Sequence, residues 1–195
     1  MIRRCAALLS LLWLAGCFGN PGQMKLAFSA FTNHPVVLTE MVVNGQPMAL
    51  LPLVVQGRAE RAQPRYGGGG WLLSYPSGQS GQMAVEMTWI ELSNGQAYRA
   101  AVTVPLSELE VSASGAVEMQ SIFAPSGLLI IGSDPLPESA DDLRIRDVAR
   151  VCGSRAPEAD HDYTDTPREL PGLFEAVETL QPAPPLALSP APCQP

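Results

Sequence analysis

Residues 83 to 104 read MAVEMTWIELSNGQAYRAAVTV. The stretch alternates with period two, breaks at Ser93-Asn94-Gly95-Gln96, and alternates again from Ala97. Period two is the signature of a strand, and Asn-Gly between two alternating runs is a strong short-range hairpin signal. On the outgoing run Val85, Met87, Trp89 and Glu91 share one face, while Glu86, Thr88, Ile90 and Leu92 share the other. Both faces carry apolar bulk. A strand lying between two layers has that pattern, and Trp89 reads as a core residue.

Working outward, the same period recurs. LAFSAF (26–31) and VVLTEMVV (36–43) are short β-rich runs separated by Thr32-Asn33-His34-Pro35, a turn signal. Asn44-Gly45 then turns the chain before ALLPLVV (49–55), which predicts a second hairpin. LSELEVS (106–112), GAVEMQSIF (115–123) and GLLIIGS (127–133) add three candidate strands. The expected fold is mostly β, an antiparallel β-sandwich or open barrel. Helix is expected only late, as one or two short C-terminal helices. PESADDLRIRDVARVCG (137–153) offers Ser139 as N-cap, Asp141 and Asp142 in a first turn, Arg150 in a last turn, and Gly153 beyond it. LPGLFEAVETL (170–180) is the other helical segment, and the chain ends in a Pro-rich run.

The N-terminus reads MIRRCAALLSLLWLAGC. Arg3 and Arg4 precede an apolar stretch too short to span a bilayer, followed by small residues and Cys17. Leu14-Ala15-Gly16-Cys17 resembles the lipobox of bacterial lipoproteins, which implies cleavage before Cys17 and lipidation of its thiol. Two or more acyl chains anchor a protein stably, at about 0.8 kcal/mol per buried methylene. The resulting organisation is a signal peptide at 1–16, a lipidated tether at 17–24, a single β-rich domain at 25–180 and a Pro-rich tail at 181–195. Phe18 stands where some Gram-negative lipoproteins carry the Asp that retains them in the inner membrane. That resemblance favours the periplasmic side of the outer membrane.

The whole chain carries a formal charge of −7, and loss of Arg3 and Arg4 with the signal leaves 10 basic against 19 acidic residues, or −9. Such a surface is a poor partner for nucleic acid or anionic head groups. Twelve of the 19 acidic residues lie in 134–195. Cys5 leaves with the signal and Cys17 takes lipid, so Cys152 and Cys193 remain, as a bridged pair in an oxidising compartment or as two free thiols.

Little in the chain points to catalysis. Tyr66-Gly67-Gly68-Gly69-Gly70-Trp71 contains a glycine run, but no Lys and Ser/Thr follow it as in a phosphate loop. Trp71-Leu72-Leu73 continues as a strand. Asp160, His161, Asp162 and Asp165 match no zinc or calcium spacing and read as an acidic surface loop, while His34 reads as a turn histidine. No serine sits in a nucleophile-elbow setting. No cofactor or metal is expected. Tyr66, Gly67 to Gly70, Trp71 and Tyr75 are the candidate partner-binding residues, because Trp and Tyr make effective anchors; for Tyr66 and Trp71 a place in the core is the alternative.

Val43-Asn44-Gly45, Gly67 to Gly70, Pro76, VEMTW ending at Trp89 and YRAAVTVP from Tyr98 to Pro105 stand in the order found in a family of small Gram-negative lipoproteins built on a domain of unknown function. The chain resembles that family over roughly residues 25–135. It departs where family members often have paired cysteines after the glycines; Trp71-Leu72 stand here instead. Members are often encoded near type VI secretion phospholipase effectors, and some look like immunity proteins against them. The resemblance therefore implies a tethered immunity protein whose partner is a secreted lipase. The competing expectation is a structural or assembly lipoprotein of the envelope that binds a secretion or cell-wall component.

Overall fold

A computed structural model describes residues 22–31, 34–49, 52–56, 71–75, 81–111, 116–133, 146–180 and 193, with backbone alone at 71–75 and 146. Its strands are β1 (Gly22–Ala30), β2 (Val36–Val43), β3 (Gln46–Pro47), β4 (Leu53–Val55), β5 (Trp71–Tyr75), β6 (Gln82–Glu91), β7 (Gln96–Pro105), β8 (Glu110–Val111), β9 (Val117–Ala124), β10 (Leu128–Ser133), β11 (Arg146–Cys152) and β12 (Ser154–Arg155). Among the described residues one α-helix follows, α1 (Leu173–Glu178), inside the predicted 170–180 segment. Sheet A runs β11-β10-β9-β1-β5, with β8 also on β9. Sheet B runs β12-β7-β6-β2-β3, with β4 also on β2. The two sheets pack face to face as a β-sandwich, and they do not close into a barrel.

The 83–104 hairpin forms the spine of sheet B. β6 and β7 pair antiparallel without interruption from Gln82↔Pro105 to Glu91↔Gln96. Val85, Met87 and Trp89 point into the space between the sheets, where they meet Met24, Leu26, Met119, Phe123, Leu129 and Ile131 from sheet A. Ile90 and Leu92 point the other way. They join Val37, Ala97, Ala156, Tyr163, Leu173 and Ala176 in a second cluster, formed where the segment 156–180 lies over the outer face of sheet B. Both faces of β6 are therefore covered at this end. β2 serves the same two layers through a bulge between Leu38 and Glu40. Before it, Val36 and Leu38 face the core; after it, Met41 does, because one extra residue flips the alternation.

Asn44 and Gly45 turn β2 into β3 at φ 50° and 77°, the conformation an Asn-Gly turn supplies at low cost. β3 itself is short, and β4 pairs with the earlier half of β2. Among the described residues of the LSELEVS run, Glu110–Val111 is strand and Leu106–Glu108 form a 3-10 turn.

One expectation needs correction, the helix over 137–153. Arg146–Cys152 is β11, paired antiparallel with β10, while Ser139, Asp141 and Asp142 lie outside the described residues. Val148, Ala149 and Val151 pack against the core, and strand pairing on fully buried β10 outweighs end charges worth about 0.3–1 kcal/mol each. The Asp147–Arg150 ion pair, helical by its spacing, forms on the strand, whose pairing shifts register opposite Ile131/Gly132. Among the described residues the antiparallel sandwich carries one exception in strand sense. β1 and β9 run parallel, from Met24↔Val117 to Ala30↔Phe123, within an otherwise antiparallel architecture. After β1 the chain builds most of sheet B and returns through β9 in the direction in which it left. β1 starts at Gly22, which pairs with Tyr75.

Candidate functional site

Trp71-Leu72-Leu73-Ser74-Tyr75 form β5, the edge of sheet A. Its antiparallel register on β1 runs from Leu26↔Trp71 to Gly22↔Tyr75. Among the described residues no strand pairs with its other side. An edge strand exposes a row of backbone donors and acceptors, and proteins usually guard such edges with lysine, proline or a bulge. β5 contains none of these in its five residues. Of the predicted binding residues, the backbone thus places Trp71 and Tyr75 at the two ends of this edge. Tyr66 and Gly67 to Gly70, and the predicted lipidation site Cys17, lie outside the described residues.

The opposite flank holds a polar corner that alternation alone did not reveal. Glu91 ends β6 on the core-facing side and is 7% exposed. Its Oε1 accepts the Gly127 N–H at 2.9 Å, and its Oε2 accepts a hydrogen bond from Asn94 Nδ2 at 3.1 Å. Burial pushes its carboxyl above the ordinary value of 4.5, against the pull of the Gly127 hydrogen bond, Asn94, the Ser126 backbone and Arg155. Gly127 follows Ser126 in the β9–β10 turn, at φ 76° and 63°. A Cβ at Gly127 would stand 2.3 Å from Tyr98 Cδ1, and one at Gly153 would stand 2.8 Å from the Trp89 ring. Two glycines therefore let the β9–β10 turn and the β11–β12 corner close on the Trp89–Tyr98 stack, whose centroids lie 6.0 Å apart. Trp89 also meets Phe123 at 5.3 Å.

The acidic 160–165 segment is built into this corner. Asp160 takes Arg155 in a two-toothed ion pair at 2.9 and 2.8 Å and accepts the Ala97 N–H at 2.7 Å. The Arg155 hydrogen bond, and then the Ala97 one, hold the Asp160 carboxyl below its ordinary 3.8. The Arg155 guanidinium lies over the Tyr98 ring at 5.2 Å and also donates to Ala97 O. Asp162 accepts from the Thr164 hydroxyl and N–H, and His161 stands 3.6 Å from Glu169. Among the described residues no group of three His, Cys, Asp or Glu side chains is arranged to hold a metal ion. The corner's chemistry is that of a latch: it fastens segment 156–180 to β7. The signal for it was in plain sight as Arg155 and Asp160, but no spacing rule ties them to Tyr98.

Cys152, at the end of β11, is bonded to Cys193, with their Cα atoms 5.6 Å apart. The bridge brings Cys193 against Phe31, Ile122, Ala124, Leu128 and Ile130 on the outer face of sheet A. A comparison with protein families, with curated proteins and with solved structures yields no match to this chain.

Proposed function

We propose that this protein is a membrane-tethered periplasmic lipoprotein that binds a protein partner, and that it acts as an immunity protein against a type VI phospholipase effector. The observation that carries the binding role is β5, an apolar five-residue edge with a Trp and a Tyr at its ends. Such an edge recruits an extended segment of another chain through backbone hydrogen bonds, with flanking side chains supplying specificity. The lipobox supports the anchor. Five links of chain from Cys17 to Gly22 reach at most about 18 Å. Because Gly22 pairs with Tyr75, a lipidated Cys17 would hold this end of the edge close to the bilayer. A lipase working on that bilayer would meet its inhibitor at high effective concentration, without any further contact.

The test is sensitivity. Cells lacking the protein should lyse when challenged by sisters that deliver the effector, and the full-length protein should restore resistance. A Cys17→Ala form, made but not acylated, should restore it poorly. Unchanged survival of the deletion strain, together with recovery of the protein in an envelope assembly, would replace immunity with the assembly role.

A further inference from the structure

The outer face of sheet B divides into rows across β7, β6 and β2. Ala97, Ile90 and Val37 form the apolar row that segment 156–180 covers. The next row is polar: Arg99 Nε donates to Thr88 Oγ1 at 3.2 Å, and Thr88 Oγ1 donates to Glu40 Oε2 at 3.2 Å. Beyond that row the covering segment gives way. Ala101, Glu86 and Val42 stand side by side, then Thr103 and Ala84, next to the Gly45 turn. These residues line a shallow groove of about 220 Å³. Its floor is made of small side chains, and among the described residues lining it Glu86, about half exposed, is the charged one.

The charge here is one-sided. Glu86 and Glu158 flank the Arg99 guanidinium, and Glu40 accepts the Thr88 hydroxyl in the same row. Arg99 stands 3.7 Å from Glu86 and 3.7 Å from Glu158, while its Nε–H is given to Thr88. The carboxylate in the groove therefore has only a long, shared ion pair. We propose that this groove is a second docking surface, and that it takes a lysine or arginine side chain of the protein partner. The cationic head meets Glu86 and the aliphatic stem lies across Ala84, Ala101 and Val42. Long cationic side chains suit such a seat, since their stems bury against small apolar residues while the head stays charged. Complementary charge would also speed encounter with the partner. The occupant rests on the partner-binding reading, but the surface is a face of sheet B and does not involve β5.

The experiment titrates the ¹⁵N-labelled protein with acetyl-Ala-Arg-Ala-amide and, in parallel, with acetyl-Ala-Gln-Ala-amide, reading amide shifts. The arginine peptide should give saturable shifts confined to residues 42–45, 84–86 and 101–103. Glu86→Gln should weaken its binding roughly fivefold, since an exposed ion pair is worth at most about 1 kcal/mol. Because Glu86 is exposed, the variant should keep the unfolding midpoint of the parent. Equal response to the glutamine peptide would overturn the proposal, as would shifts scattered over the acidic 156–180 segment or no effect of Glu86→Gln. So would a concentration-dependent dimer that protects the same amides, which would assign the face to a second copy of the chain. A Trp71→Ala variant should titrate unchanged, so failure here removes the groove and leaves the β5 reading to be judged by capture of the partner.

Discussion

Gly127 and Glu91 carry more of this structure than their side chains suggest. Gly127 holds a positive φ and sits where any Cβ would run into the Tyr98 ring. Gly127→Ala should cost at least about 2 kcal/mol, from strain and overpacking together. Urea unfolding measures it, and an unchanged midpoint would mean that the turn can open without loss. Glu91 gives a pH prediction. Its folded-state carboxyl is raised by burial, so the folded protein holds this proton more tightly than the unfolded chain. The associated stability is fully present below the unfolded value near 4.5 and is lost as pH rises through the raised folded value. The parent should therefore gain stability relative to Glu91→Gln as pH is lowered from 7.5 to 5. A difference that stays flat or shrinks would show that the hydrogen bonds from Gly127 and Asn94 dominate instead. Neither residue's role was legible beforehand. Alternation placed Glu91 correctly on the Trp89 face, yet its donor lies 36 residues away, across a turn that no local pattern links to β6.

Elements were more legible than residues, where the chain alternates cleanly. The 83–104 hairpin and the Asn44-Gly45 turn follow directly from side-chain period and turn chemistry. β11 does not. Its sequence carries helix-favourable charges at both ends of 137–153, and only its pairing with β10 makes it a strand. Long-range pairing of this kind leaves no mark on a local window. The outer layer obeys the same logic. Leu173 of α1 is fully buried over Ile90, Leu92 and Val37, so Leu173→Ala should destabilise the protein by about 2–5 kcal/mol. A loss below 1 kcal/mol, read by thermal or urea unfolding, would show that the covering segment is not part of the cooperative unit. The disulfide closes a separation of 41 residues, which the chain-entropy model values at about 4 kcal/mol. Changing Cys152 and Cys193 together to Ser should remove stability of that order, and adding reductant to the parent should give the same midpoint.

At the scale of the molecule, the described residues of two sheets and a C-terminal layer present two surfaces of different character. One is the uncovered part of sheet B, set by where segment 156–180 ends. The other is β5, whose apolar edge lies beside the strand that starts closest to the predicted lipid anchor. A sandwich or an open barrel could be read from period two and turn spacing, and the two separate sheets decide for the sandwich. The parallel β1–β9 pair could not, because strand direction within a sheet depends on how the chain crosses between layers. The most direct test of the partner-binding account is capture from envelope extracts, with the chain from Phe18 onward as bait and its Trp71→Ala form beside it, read by mass spectrometry. The account predicts one phospholipase recovered in one-to-one ratio by the parent and lost, with the fold intact, from the variant. Equal recovery by both forms, or recovery of secretion-apparatus or cell-wall components in place of a lipase, would contradict it.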